Sequence, residues 1–146
     1  MDWSLFALRV GLATVAGLII GMEREIQGKE AGLKTNALVS LGAAMFILMS
    51  MEFEGDEYVD ITRVLGQIVV GIGFIGAGTI LQKGRKVKGL TTAATVWCSA
   101  ATGCLAGFGM YIELAIVSGI ILTINLVFGY IEHRMLKKKE KEENSD

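Results

Sequence analysis

Nineteen uncharged residues separate Arg63 from Lys83, twenty-four separate Lys88 from Glu113, and a further eighteen run from Leu114 to Ile131. A helix of about 18–20 apolar residues crosses the ~30 Å hydrocarbon core of a bilayer. A water-soluble core built from 146 residues has no use for three such stretches, so the chain is read as an integral membrane protein. Composition agrees, with 52% hydrophobic residues, 20% charged residues and a mean hydropathy of +0.52. Nineteen glycines and no proline suit helices whose backbones approach one another closely in lipid.

The pattern predicts an all-α bundle of five spans, at residues 4–22, 35–51, 61–81, 90–108 and 110–131. Residues 1–131 then form a transmembrane domain and 132–146 a charged tail. Gly107-Phe108-Gly109 divides the last two spans; reading that break as a re-entrant kink would leave four. The connectors decide between them. Glu52, Glu54, Asp56, Glu57 and Asp60 occupy a loop with no base, whereas Lys83, Arg85, Lys86 and Lys88 occupy one with no acid. The tail adds Arg134, Lys137, Lys138, Lys139 and Lys141. The positive-inside rule places the basic loop and the tail in the cytoplasm, and the acidic loop and the N-terminus outside, which requires an odd number of spans. The N-terminus carries no basic region, so the first span is expected to remain as a helix. Cys98 and Cys104 lie roughly 120° apart on one helix and are expected to be packing residues.

Polar groups within the spans are the candidates for function. In the third span Gly71, Gly73 and Gly76 match G-x-G-x-x-G, but no acid follows about 20 residues on, where 91–95 reads TTAAT, so dinucleotide binding is set aside. As a helix, Gly66, Gly73 and Gly76 share one face and Gly71 and Gly78 another, roughly 140–160° away. Two smooth faces predict a central helix between close neighbours. Gln67 lies on the second face, where an amide in hydrocarbon needs a partner across an interface or a wet cavity. Thr91, Thr95, Ser99 and Thr102 form a hydroxyl stripe on the fourth span, with Thr92 at its margin and Trp97 pointing away. Arg9 and Glu113 are the two charges expected below the surface; they pair, or each snorkels outward. Glu23, Arg24 and Glu25 end the first span beside Lys34, Thr35 and Asn36, where Thr35 or Asn36 is expected to cap the second. Two carboxylates suit a hard cation such as Mg²⁺, although positions i and i+2 do not face each other on a helix, so a cap and salt-bridge cluster is the expectation and bound metal stays open.

GMERE, AGLKTNALVSLGAAMFIL, DITRV followed by QIVVGIGFIGAGTIL, and VKGLTTAATVWCSAATG, in that order, closely resemble the transmembrane domain of the MgtC/SapB family. The matching positions include Glu23, Arg24, Glu25, Gly32, Thr35, Asn36, Arg63, Gln67, Gly71, Gly73, Gly76, Gly78, Gly89, Thr91, Thr92 and Trp97, with Lys34 standing where arginine is usual. The resemblance implies a bacterial inner-membrane protein linked to survival at low Mg²⁺, acting on other membrane proteins, the F-type ATP synthase among them. Virulence members carry a soluble C-terminal domain; the charged tail in its place leads to the expectation of a transmembrane domain alone.

Three functional classes compete. A non-enzymatic regulator that binds membrane partners through its helix faces is favoured by glycine-smoothed surfaces, short loops and few intramembrane charges; a homo-oligomer fits the same faces. A Mg²⁺ or other cation channel would use Gln67, Asn36 and the hydroxyl stripe, yet a divalent path normally needs carboxylates at depth, and only Glu113 qualifies. An enzyme is least favoured: no nucleophile–base pair is evident, and His133, the only histidine, sits in a basic tail suited to anionic lipid. No cofactor and no nucleic acid is expected.

Overall fold

The computed structural model describes residues 2–55, 57, 60–83 and 86–143; Asp56 of the acidic connector, Arg85 of the basic one and 144–146 of the tail lie outside the described residues. Five helices and one short hairpin follow in order: α1 (Trp3–Ile26), α2 (Leu33–Met51), α3 (Ile61–Gly78), β1 (Leu81–Lys83), β2 (Lys86–Lys88), α4 (Leu90–Phe108) and α5 (Tyr111–Glu143). α1, α2, α3 and the 111–131 part of α5 are each long and apolar enough to cross a membrane. The chain is thus an all-helical, multi-pass membrane bundle. α4 is as long as α2 but richer in hydroxyls, and it is the helix most shielded from lipid.

Local chemistry sets the ends of these elements. Asp2 and Asp60 cap α1 and α3, each accepting from the backbone N–H and the hydroxyl two residues on, at Ser4 and Thr62. Gly109, at φ +78°, lets α4 stop: its N–H donates to Ala106 O while Met110 N–H donates to Leu105 O, the paired bonds of a Schellman turn. α4 and α5 are therefore two helices rather than a kinked one. The third span ends three residues short of expectation. Thr79 donates both N–H and hydroxyl to Gly76 O, closing α3 at Gly78, and Leu81 enters the antiparallel hairpin opposite Lys88. The last apolar span ends at Ile131, and the helix that carries it runs on unbroken to Glu143.

Packing corrects one expectation outright. The central helix is α4, not α3. α4 touches α1, α2, α3 and α5, and ten of its nineteen residues are buried, against three of eighteen in α3. The glycines show why. Added methyl groups at Gly66, Gly71, Gly73 and Gly78 would meet nothing within 4 Å, and at Gly76 only Ala93 at ordinary contact distance. The glycines that join helices are elsewhere. A methyl at Gly17 would sit 2.5 Å from Asn36 O, one at Gly21 would lie 2.7 Å from Leu33 Cα, and one at Gly107 would lie 3.0 Å from Ala44 O. At Gly103 it would overlap the Ser40 carbonyl. Two apolar clusters flank these contacts. One is built from α2, α3 and α4 around Val39, Ile47, Ile68, Ile72 and Val96; the other joins α1, α2, α4 and α5 around Ala13, Ala16, Ala44, Ala106 and Leu114.

Gly103→Val should lower stability by about 1–3 kcal/mol or more through overpacking. Gly73→Ala should leave it unchanged or raise it by up to about 1 kcal/mol through helix propensity; thermal melts in detergent compare the two. The Thr62 hydroxyl and then its N–H hold the Asp60 carboxyl below 3.8. The cap is accordingly present above pH 3.8 and lost only as pH falls through the lowered value. An NMR titration of Asp60 should give a midpoint below 3.8, and Thr62→Val should raise it.

Candidate functional site

α1, α2 and α4 meet along small or polar residues spaced four apart: Arg9, Ala13, Gly17 and Gly21 on α1; Asn36, Ser40 and Ala44 on α2; Ser99, Gly103 and Gly107 on α4. Four-residue spacing keeps each series on one helix face. Opposed in space, the three series build successive layers. Gly17 lies against the backbone of Asn36 and Ala37, and Gly103 against Ser40. Ser40 Oγ donates to Ala13 O at 2.7 Å, tying α2 to α1.

The polar side chains in these layers form one buried network. Asn36, Ser40, Ser99 and Thr102 are all fully buried. Asn36 Nδ2 donates to the Ala31 and Gly32 carbonyls at 2.8 Å, and its Oδ1 accepts from Ser99 Oγ at 2.8 Å. Thr102 Oγ1 donates to Ser99 O and stands 3.4 Å from Ser40 Oγ. A buried polar group in hydrocarbon is tolerated only when bonded, and these groups bond to one another and to backbone. The stripe expected on α4 therefore faces inward, with Trp97 outward as expected. Thr92 and Thr95 are buried with it, Thr95 donating to Thr91 O, while Thr91 itself is exposed.

At the end of α1, Arg24 and Glu23 form a buried two-pronged ion pair, Nε–Oε2 at 2.5 Å and Nη2–Oε1 at 2.7 Å. Both carboxylate oxygens are engaged by the guanidinium, so the net charge of the pair is zero. Glu25 turns the other way and accepts from Leu33 N–H at 3.0 Å. α2 is thus capped from α1, not by Thr35 or Asn36: Gly32 occupies the cap position without a side-chain bond, and the Asn36 amide turns back to carbonyls. Thr35 is half-buried. Among the described residues, no three His, Cys, Asp or Glu side chains converge as metal ligands.

The remaining candidates are dispersed. Arg9 does not meet Glu113. Its Nη1 donates to Gly107 O at 2.9 Å and touches Met51 Sδ at 3.5 Å, while Glu113 is exposed and the Glu23–Arg24 pair is the one ion pair among the described residues. The helix-ending turn at Gly109 leaves the Gly107 carbonyl free of its usual helical donor, which gives Arg9 a neutral partner. Arg63 and Gln67 are exposed on α3. Gln67, Gly71, Phe74 and Gly78 fall within about 60° of one another around that helix, and Phe74 is 85% exposed. Beside them, α2 and α3 splay apart around a groove of about 520 Å³ lined by Leu38, Gly42, Phe46, Gln67, Gly71 and Ile75. Gly17, Gly103 and Ser40 were not singled out from the sequence; their signal is the four-residue period shared by three helices.

The Asn36–Ser99 bond should show as a coupling of about 0.6 kcal/mol, the average of interhelical bonds in membranes, and at most about 1.7 kcal/mol, in a double-mutant cycle of Asn36→Ala and Ser99→Ala. Additive single effects would remove it from the structural account.

Several known proteins share this chain's sequence. Protein MgtC of Salmonella typhimurium is 46% identical over 84% of this chain and 52% of its own length, and Protein MgtC of Brucella abortus is 48% identical over 77% and 47%. An uncharacterized protein of Synechocystis is 42% identical over 97% of this chain and 62% of its own length. The chain spans about half to three-fifths of the length of these relatives. No solved structure matches it. The MgtC family model matches residues 10–134, which takes in the three-helix polar core, the Glu23–Arg24 pair and the open face of α3, and by that match the chain belongs to the MgtC family.

Proposed function

We propose that the chain is a non-enzymatic regulator in a bacterial inner membrane, linked to adaptation to low Mg²⁺, that works by docking other membrane proteins against α3. The observation that carries this reading is the contrast between two sets of small and polar residues. Those on α1, α2 and α4 are closed against one another, with every bond of Asn36, Ser40 and Ser99 made inside the bundle. Those on α3 are open. Gln67 makes no hydrogen bond among the described residues, and Gly71 and Gly78 leave gaps on its face on either side of the exposed Phe74. An amide in hydrocarbon gains from a partner, and the glycines beside Phe74 let another helix come close enough to supply it. The adjoining groove between α2 and α3 extends the apolar area available to such a helix.

The relatives called Protein MgtC, together with the low-Mg²⁺ role that the family resemblance implies, support the Mg²⁺ link. The F-type ATP synthase is the partner class the resemblance names, and a second copy of this chain would use the same face. A cation channel through the hydroxyl stripe is the weaker reading. Its donors and acceptors already bond to each other, and Gln67 lies on α3, outside that core.

In a bacterium whose growth under Mg²⁺ limitation depends on this chain, Gln67→Leu and Gly71→Ile should reduce growth to the level of the deletion while leaving the melting temperature unchanged. Full growth with both substitutions would end the docking reading. Liposomes loaded with a Mg²⁺-sensitive dye, with an established channel as control, should show no influx; influx lost on Asn36→Ala would replace the regulator with a channel.

A further inference from the structure

Among the described residues, four buried side-chain polar atoms lack a hydrogen-bond partner: Arg9 Nε, Tyr111 Oη, Ser118 Oγ and Asn125 Nδ2. One lies on α1 and three on α5, two helices in contact with each other. Their arrangement is regular. Tyr111, Ser118 and Asn125 recur every seven residues, and the buried Leu114 and Ile121 fall three residues after the first two. This is a heptad seam with a polar group at every first position and an apolar one at the fourth. Successive polar levels are about 10.5 Å apart along the helix.

Two contacts give the register of α5 on α1. The side chain of Arg9 lies over Gly109, its Nη2 3.0 Å from where a methyl there would sit; that of Gln27 lies over Gly129, its Nε2 2.8 Å from the corresponding point. The helices therefore run side by side in the same direction. Ser118 comes roughly level with Gly17, and Asn125 roughly level with the Glu23–Arg24 pair. Arg9 and Tyr111 mark one end of the seam. A cavity of about 210 Å³ lined by Ile19, Met22, Glu23, Ile26, Gln27 and Leu126 marks the other.

Unmet polar atoms at these positions are costly: a buried unsatisfied donor or acceptor loses about 1–3 kcal/mol, and lipid offers none of the compensation that solvent would. Ser118 is informative because its helical neighbours behave otherwise. Thr14, Thr95 and Thr123 each bond the carbonyl four residues back, the ordinary refuge of a helical hydroxyl. Ser118 does not, although Leu114 O stands at the same offset. Asn125 is only 6% exposed, so neither lipid nor bulk water is its partner.

We propose that the α1–α5 seam binds ordered water at three levels, at Tyr111, Ser118 and Asn125, with Leu114 and Ile121 as apolar constrictions between them. Water is the occupant of matching chemistry: it donates and accepts, and it is the usual partner of buried polar atoms that lack a protein one. The seam is then the wet side of the bundle, and the hydroxyl core of α1, α2 and α4 the dry one. This inference is independent of docking at α3.

Cysteine substitution in membranes tests it, because a thiolate, which forms where water reaches, attacks the sulfur of a small hydrophilic methanethiosulfonate reagent to form a mixed disulfide and release methanesulfinate. Ser118→Cys and Asn125→Cys should react at least about tenfold faster than Ile116→Cys and Ile124→Cys, which lie 57% and 50% exposed on other faces of α5. The wild-type chain, with Cys98 and Cys104, sets the background. Rates at 118 and 125 no faster than at 116 and 124 overturn the proposal. Asn125→Leu gives a second reading that does not depend on labelling. In a dry seam it removes an orphaned amide and raises the melting temperature, which would overturn the proposal. In a hydrated one it displaces bonded water and leaves the melting temperature unchanged or lower.

Discussion

Backbone-to-backbone contact among α1, α2 and α4 is the constraint from which the rest of the molecule follows. Lipid gives helices no hydrophobic reason to associate, so association rests on close van der Waals packing and on hydrogen bonds that hydrocarbon cannot replace. Gly17, Gly103 and Gly107 supply the first, and Ser40 to Ala13 O and Ser99 to Asn36 supply the second. Each depends on the other. Ser40 Oγ reaches a carbonyl of α1 at 2.7 Å because small residues let the helices approach. With three helices locked in this way, α3 is left to pack mainly through the buried Ile68 and Ile72, and α5 through Leu114 and Ile121. Two attached helices around a fixed trio is the resulting architecture.

Much of this was legible in the chain, and the failures have physical causes. Spans and connectors could be read because charge and apolar length are one-dimensional properties, and a membrane enforces both. The place of α3 was misread because glycine is ambiguous. The same smooth face serves contact within a molecule or contact with something outside it, and nothing in GIGFIGAG says which. The better signal was repetition across helices, with the same four-residue spacing in Ala13-Gly17-Gly21, Asn36-Ser40-Ala44 and Ser99-Gly103-Gly107. Where three elements share a period, they can share layers; a period found on one alone says less.

Arg9 and the α2 cap carry a related lesson. Arg9 and Glu113 were expected to pair or to snorkel outward, and N-caps to come from the helix being capped. In the structure Arg9 takes the Gly107 carbonyl, and Glu25 reaches across from α1 to Leu33 N–H. Backbone groups at helix ends are strong partners with no signature of their own in sequence. Glu23 and Arg24, adjacent in the chain, were easier to place: their mutual attraction offsets part of the cost of carrying two charges into the same buried site.

α5 has 33 residues in one uninterrupted helix. At 1.5 Å per residue that is about 50 Å, well beyond the ~30 Å of hydrocarbon. The helix is a shaft. Its first turns carry the seam against α1, and the helix continues well past it. A continuous hydrogen-bonded helix with no proline has no joint at which to absorb torque. Turning its last turns therefore turns Asn125 and Ser118, and the far end of α5 is mechanically part of the membrane-buried seam.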